Sequence, residues 1–366
     1  MPLPSIAIIG RPNVGKSTLF NALTSTQQAE SKNYPFCTIE PNVGKVAVND
    51  SRLKTIANIS ESSSVISNQL EFVDIAGLVK GASKGEGLGN KFLSNLAEVD
   101  AIVHVVRCFE DSDITHVDKS LSPLSDIETV ETELILSDYS KIENITENIK
   151  KKNKGKKIHP ELIETLHKAI EILDKGIFLS QSDFDNSQLK ILSDYNLLTL
   201  KPIIYVSNVD EQSVRTGNKL SNLVDNYAEK KKTKNLKISA KIESEIAIIE
   251  NKNEKKEFLE SIGLKDNSLS ILIREGYALL DLITFFTSGP KETRAWTIRN
   301  GTLAPDAGAK IHTDFKKGFI RAEVISYHDF LSFKGELNCK DNGKLRLEGK
   351  EYVVLDGDII TFRFNV

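Results

Sequence analysis

Gly10-Arg11-Pro12-Asn13-Val14-Gly15-Lys16-Ser17 is the stretch on which the reading of this chain turns. It matches the spacing GxxxxGK[ST] in full. Its surroundings fit as well: the apolar run Ser5–Ile9 leads straight into Gly10, and Thr18–Leu23 opens a helix. Strand, glycine loop and helix in that order make a cradle whose backbone N–H groups turn inward onto phosphate oxygens. Gly10 and Gly15 let the backbone curl. Lys16 supplies a point charge for β- and γ-phosphates, and the Ser17 hydroxyl is a ligand for Mg²⁺.

Further apolar runs follow at Leu70–Val73, Ala101–Val106 and Pro202–Ser207, with a weaker one at Leu236–Ser239. Each ends in a polar or glycine-rich loop. This is the pattern of buried parallel strands in a doubly wound α/β domain, with its active loops at the carboxyl ends of the strands. Between Arg107 and Pro202 the rhythm breaks. Ile127, Val130 and Leu134, then Ile142, Ile145 and Ile149, recur at helical spacing. After the lysine-rich stretch Lys150–Lys157 the spacing resumes at Leu162, Leu166, Ala169 and Leu173, and Gly176 can stop the helix. A helical hairpin inserted into the α/β domain is expected. The C-terminal part predicts two β-hairpins, Leu282–Thr287 with Glu292–Ile298 and Tyr352–Leu355 with Ile359–Phe364, around a short helix near Ala304–Ile311. The expected division is a P-loop domain over 1–125 and 200–280, a helical insertion over 126–199 and a small α+β module over 281–366.

Composition narrows the class. A net charge of -3 argues against a protein that coats nucleic acid but leaves room for a local basic patch. The three cysteines, Cys37, Cys108 and Cys339, form no CxxC pair, which fits a reducing compartment and no zinc site. No stretch approaches the 18 apolar residues of a membrane-spanning helix. A soluble, cytoplasmic, monomeric chain is expected.

Asp74 closes the run Leu70–Val73 and is followed by Ile75, Ala76 and Gly77. An acid at a strand end beside a phosphate loop is the expected outer-sphere partner of Mg²⁺, and the Gly77 amide is free to meet a γ-phosphate. Thr38, between these motifs, is the candidate second hydroxyl ligand of the ion. Asn208-Val209-Asp210-Glu211 and Ser239-Ala240-Lys241 follow later strands. In GTPases the corresponding loops read NKxD and SAK, and the aspartate accepts hydrogen bonds from guanine N1–H and its exocyclic amine. Here that position is Glu211, one methylene longer, so strict guanine selectivity is not expected. Glu211 as a merely solvated loop acid is the alternative. The nucleotide-contacting set is Asn13, Val14, Gly15, Lys16, Ser17, Thr18, Asn208, Val209, Glu211, Ser239 and Ala240.

Together with Tyr34-Pro-Phe-Cys-Thr-Ile-Glu-Pro-Asn42 and Asp74-Ile-Ala-Gly-Leu-Val-Lys-Gly-Ala82, these motifs resemble the YchF / Obg-like ATPase family almost end to end. The resemblance implies a G-domain fold of the translation-factor-related class, with a C-terminal TGS-like module of β-grasp fold. It further implies ATP preferred over GTP, association with ribosomes, and a regulatory role in translation or stress response. Leu78 stands where many small GTPases carry a glutamine that orients water, and an aliphatic side chain cannot do so. The family-implied substitute is His116, which would join Lys16 and Gly77 in the catalytic set; a loop histidine without a role is the alternative. Asn13 either ligates K⁺ between the phosphates, as in similar potassium-dependent P-loop proteins, or stabilises its turn. Lys150–Lys157 is either a solvated tip or a contact for ribosomal RNA. Arg294, Trp296 and Arg299 either stack on RNA or, for Trp296, belong to the core. A guanine-selective switch and an RNA-binding scaffold with a regulatory nucleotide site are the competing functions.

Overall fold

The computed structural model describes residues 3–30, 42–75, 88–111, 121–152, 159–249, 251–264 and 266–365. In chain order the first elements are β1 (Ser5–Ile9), α1 (Lys16–Glu30), β2 (Val43–Ala47), α2 (Ser51–Ile59), β3 (Ser64–Ile66), β4 (Gln69–Asp74), α3 (Leu88–Glu98) and β5 (Ala101–Cys108). Then come α4 (Pro123–Lys152), α5 (Pro160–Asp174), α6 (Asn186–Ser193), β6 (Ile203–Val209), α7 (Lys219–Lys230), β7 (Asn235–Ile238), α8 (Ala240–Ile248), α9 (Lys252–Ser261) and α10 (Ser268–Leu279). The chain closes with β8 (Leu282–Thr287), β9 (Glu292–Arg299), α11 (Ala304–Ile311), α12 (Thr313–Lys317), β10 (Phe319–Ile325), α13 (Tyr327–Ser332), α14 (Glu336–Asp341), β11 (Arg346–Glu348) and β12 (Ile359–Phe364). Two compact units result. One comprises Pro4–Gly44 and Glu71–Leu272; the other comprises Met1–Leu3, Lys45–Leu70 and Ile273–Val366.

The first unit carries the sheet order β2-β4-β1-β5-β6-β7. β1 runs parallel to β4 and β5, β5 to β6, and β6 to β7. β1, β5 and β6 are buried along their whole length, which is why they read as unbroken apolar runs rather than alternating ones. β6 runs on through Asn208 and Val209, so the first two residues of the Asn208–Glu211 motif belong to the strand rather than to the loop beyond it. The expected helical hairpin is present as α4 and α5, which pack on each other. Lys150, Lys151 and Lys152 are the last turn of α4, and 153–158 lie outside the described residues. Ile142, Leu166, Ala169 and Leu173 join Leu179, Leu192 and Leu197 in a cluster separate from the core under the sheet.

Two buried carboxylates fasten the insertion down. Glu131 of α4 accepts hydrogen bonds from Tyr205 Oη of β6 and from Tyr227 Oη of α7, the latter at 2.8 Å. Asp138 accepts from the N–H groups of Leu198 and Thr199 and from the Thr199 hydroxyl. Buried acids persist when their lone pairs are filled in this way.

In the second unit the sheet order is β11-β10-β12-β8-β9-β3. The hairpin β8–β9 forms as expected, with Phe285 opposite Trp296. The second expected hairpin does not form. β12 pairs antiparallel with β10 and parallel with β8, while 352–354 bonds back to 302–304. Asp358 explains the difference: its carboxylate accepts from the Leu355 N–H at 2.9 Å and from Tyr352 Oη at 2.7 Å. The turn therefore closes on itself instead of presenting 352–355 to β12. Residues 45–70, expected with the P-loop domain, pack here. β3 runs parallel to β9 with Ser64 opposite Glu292, and Leu53 and Ile56 of α2 share a core with Phe286, Ala295 and Phe330. Arg52 adds a fork onto Asp356, with Nη1–Oδ2 at 2.6 Å and Nη2–Oδ1 at 3.2 Å. Trp296 is half-buried beside Phe285, donates its indole N–H to Thr287 Oγ1 at 2.9 Å, and carries the Arg294 guanidinium over its ring at 4.2 Å. Trp296 packs against the core of this unit from its edge.

His104, within β5, is fully buried against Tyr205, and neither ring nitrogen has a hydrogen-bond partner among the described residues. Burial disfavours the imidazolium and pushes its pKa from the ordinary 6.5 down to about 3. Between those values the unfolded chain takes up a proton that the folded chain refuses, so stability is present above pH 6.5 and is lost as the pH falls toward 3. At pH 5 this amounts to about 2 kcal/mol relative to neutral pH. His104→Leu should remove that loss. Urea unfolding at pH 7 and pH 5 should show a smaller drop in the variant; an identical drop would contradict the assignment.

Candidate functional site

The loop between β1 and α1 is shaped by two glycines. Gly15 has φ +89°, and a Cβ there would lie 2.2 Å from Asn208 Nδ2. A Cβ on Gly10 would lie 2.5 Å from the Val105 carbonyl oxygen of β5. Both positions need glycine, one for its conformation and both for space. Asn13 sits at φ 62°, a left-handed conformation that asparagine tolerates, and is exposed. α1 begins at Lys16, so the N-terminal end of its dipole lies at the loop.

Lys16 and Ser17 converge on Asp74. Lys16 Nζ is ion-paired with Asp74 Oδ1, and Ser17 Oγ donates to Asp74 Oδ2 at 3.0 Å. The Lys16 and Asp74 side chains are 9% and 10% exposed, so this contact is largely shielded from water. Asp74 is the last residue of β4, at the carboxyl edge of the parallel sheet where α/β ligand sites form. A hydroxyl and a carboxylate are the hard oxygen donors that Mg²⁺ selects, and Ser17 with Asp74 would hold it here. Bound there, the ion would neutralise charge on the β- and γ-phosphates. Thr38, the other expected metal ligand, and Gly77 and His116, the other expected catalytic residues, lie outside the described residues.

The far side of the site is built on Asn208. Its side chain spans two elements: Nδ2 donates to the Val14 carbonyl at 2.8 Å and Oδ1 accepts from the Ala240 N–H at 3.0 Å. The phosphate loop and the turn Ser239–Lys241 are thereby locked to one buried amide. Ser239 caps α8 by accepting from the Ile242 N–H. Val14, Val209 and Ala240 are buried, whereas Thr18 is exposed on the first turn of α1. Asp210 caps the short turn Glu211–Ser213, accepting from Ser213 N–H at 3.0 Å and Oγ at 2.8 Å. Burial works against its charge, but these bonds and one from Asn218 outweigh it and hold the carboxyl below the usual range. Glu211, with half its side chain exposed, pairs with Lys241 at 2.5 Å.

Sequence reading missed two supports. Arg11 is buried beside Asp126 in the first turn of α4, with Nε–Oδ1 at 3.5 Å, which ties the phosphate loop to the helical insertion. Glu243 of α8 is buried and accepts from the Ser268 N–H at 3.0 Å, and burial pushes its carboxyl up to about 7. A carboxylate in the first turn after Ser239-Ala240-Lys241 was the available signal, but its partner is 25 residues away.

A glycine loop on a helix N-terminus, an acid at the end of the neighbouring strand and an asparagine bridging to a base-side turn define a P-loop nucleotide-binding protein with a G domain. Comparison with known proteins agrees. The model described as "50S ribosome-binding GTPase" matches residues 5–138, and the YchF-GTPase C-terminal model, described as "Protein of unknown function (DUF933)", matches residues 282–365. The chain is 50% identical over 360 residues to the ribosome-binding ATPase YchF of Pasteurella multocida, covering 98% of each chain. It is 48% identical over 365 residues to the Bacillus subtilis protein of the same name, again covering 98% of each. The solved structure of the Schizosaccharomyces pombe YchF GTPase superposes with a TM-score of 0.89 at 35% identity, covering 99% of this chain and 97% of that one. The chain belongs to the YchF family.

Asn208→Ala should cost about 2 kcal/mol of stability, since the Val14 carbonyl and the Ala240 N–H each lose a buried partner worth about 1 kcal/mol. Nucleotide affinity should fall about tenfold as both loops loosen. Urea unfolding and nucleotide titration check this; wild-type values in both would contradict the bridge.

Proposed function

We propose that this chain is a ribosome-associated ATPase, hydrolysing ATP to ADP and phosphate as a regulatory factor in translation or stress response. The observation that carries the proposal is the convergence of Lys16 and Ser17 on Asp74. When ATP·Mg²⁺ binds, Lys16 exchanges the carboxylate for β/γ-phosphate oxygens. Ser17 and Asp74 are left to hold the ion. Asn13, Val14, Gly15, Lys16, Ser17 and Thr18 line the phosphates. Asn208, Val209, Glu211, Ser239 and Ala240 line the base and its turn. Thr38 completes the metal ligands, and the Gly77 amide meets the γ-phosphate. Leu78 offers no hydrogen bond to water, so His116 orients the attacking water, and Asn13 would hold a K⁺ that supplies further positive charge to the phosphates.

ATP is read over GTP because Glu211 stands where a guanine-reading aspartate would. The bacterial relatives are called ATPases, whereas the fission-yeast protein is called a GTPase, so this preference is the sharpest part of the reading. The partner follows from the relatives called ribosome-binding and from the six lysines of 150–157, which suit a phosphate backbone. A cytoplasmic monomer fits this role, and no helix among the described residues is long and apolar enough to cross a membrane.

Lys16→Ala should lower steady-state ATP turnover by about 10²-fold or more, because it removes a charge aimed at the transferring phosphoryl group. The circular dichroism spectrum should not change. Turnover within twofold of wild type would overturn the proposal, as would failure of the ATP-loaded protein to co-sediment with purified ribosomes.

A further inference from the structure

The base-side loop contains two neighbouring acids, and the structure treats them differently. Asp210 is consumed locally by the Ser213 N–H and hydroxyl and by the Asn218 amide at 3.3 Å. Asn218 also donates to the Cys108 carbonyl at 2.7 Å, so this bracing reaches back to the end of β5. Glu211 is therefore the carboxylate of this motif left for a base. It is not left alone: Lys241 Nζ lies 2.5 Å from Glu211 Oε1. Lys241 directly follows Ala240, whose N–H is pinned by Asn208, so the stem of the lysine starts from a fixed point beside the phosphate loop. Both charged ends remain accessible, with Lys241 73% and Glu211 49% exposed.

We propose that Lys241 is a specificity-determining residue, setting the base preference of the nucleotide site by occupying one oxygen of Glu211; this rests on the nucleotide-binding function proposed above. Guanine presents two adjacent donors, N1–H and the exocyclic amine, and a carboxylate satisfies both only when both of its oxygens are free. Adenine presents one exocyclic amine beside the acceptor N1. An ammonium on Glu211 Oε1 takes one of that oxygen's two lone pairs, which weakens it as an acceptor and turns the carboxylate toward Lys241; a carboxylate held so meets the single amine of adenine better than the paired donors of guanine. The longer side chain lets Glu211 reach the lysine; the pairing then weakens the second acceptor and fixes its direction. Discrimination thus arises from a weakened and turned acceptor rather than from an added contact to adenine.

The test is direct titration of ATP·Mg²⁺ and GTP·Mg²⁺ against the wild type and the variants Lys241→Met, Lys241→Arg and Lys241→Met with Glu211→Gln. Exposed ion pairs contribute modestly, so Lys241→Met should tighten GTP by about three- to fivefold while ATP changes by less than twofold. Lys241→Arg should keep the wild-type ratio, and Glu211→Gln should cancel the gain. An unchanged ATP/GTP ratio in Lys241→Met, or equal weakening of both nucleotides, would overturn the role of Lys241 and leave the nucleotide site standing. A wild-type protein that binds neither nucleotide would overturn the site itself and this inference with it.

Discussion

The carboxylate of Asp74 is the point on which the site depends. It gathers the ammonium of Lys16 and the hydroxyl of Ser17 at the mouth of the phosphate loop, where both side chains of the ion pair are about nine-tenths buried. A lysine and an acid placed there without each other would be strongly penalised. Paired, they hold the first turn of α1 against the end of β4. The same groups are those a nucleotide and its metal would engage, so binding replaces one set of charge pairs by another and leaves few uncompensated charges at any stage.

A second constraint is that buried polar side chains tie the loops to one another. Asn208 joins the Val14 carbonyl to the Ala240 N–H. Arg11 meets Asp126 at the start of α4, and Glu131 joins that helix to β6 and α7. The start of α4 is consequently wired to the phosphate loop through Asp126 and to β6 and α7 through Glu131. Each link is low in number and high in cost if broken, because the atoms involved have no water to turn to.

Much of this was legible in the sequence, for a local reason. Gly10–Ser17 carries its conformation in its glycines, and β1, β5 and β6 announce themselves as unbroken apolar runs because both faces are covered. What could not be read was long-range pairing. Residues 352–355 are four apolar residues in a row and read as a strand, yet Asp358 folds their turn inward, and β12 finds β10 and β8 instead. Ser64–Ile66 gives no sign that it will lie beside Glu292–Arg294, more than 200 residues on. At the site, Glu211 and Lys241 were both in view as motif residues, but only the fold brings them within 2.5 Å. Arg11 drew no reading of its own from the sequence, since its partner Asp126 lies in α4, beyond β5.

The account stands most directly on Asp74 serving both the free and the metal-loaded site. ATP titrations of wild type and Asp74→Asn at a series of Mg²⁺ concentrations measure this. A neutral amide still fills the space but accepts more weakly from the water ligands of the ion, so the variant should need at least about tenfold more Mg²⁺ for the same ATP affinity, while metal-free binding changes little. The same Mg²⁺ dependence in both proteins would contradict the central claim.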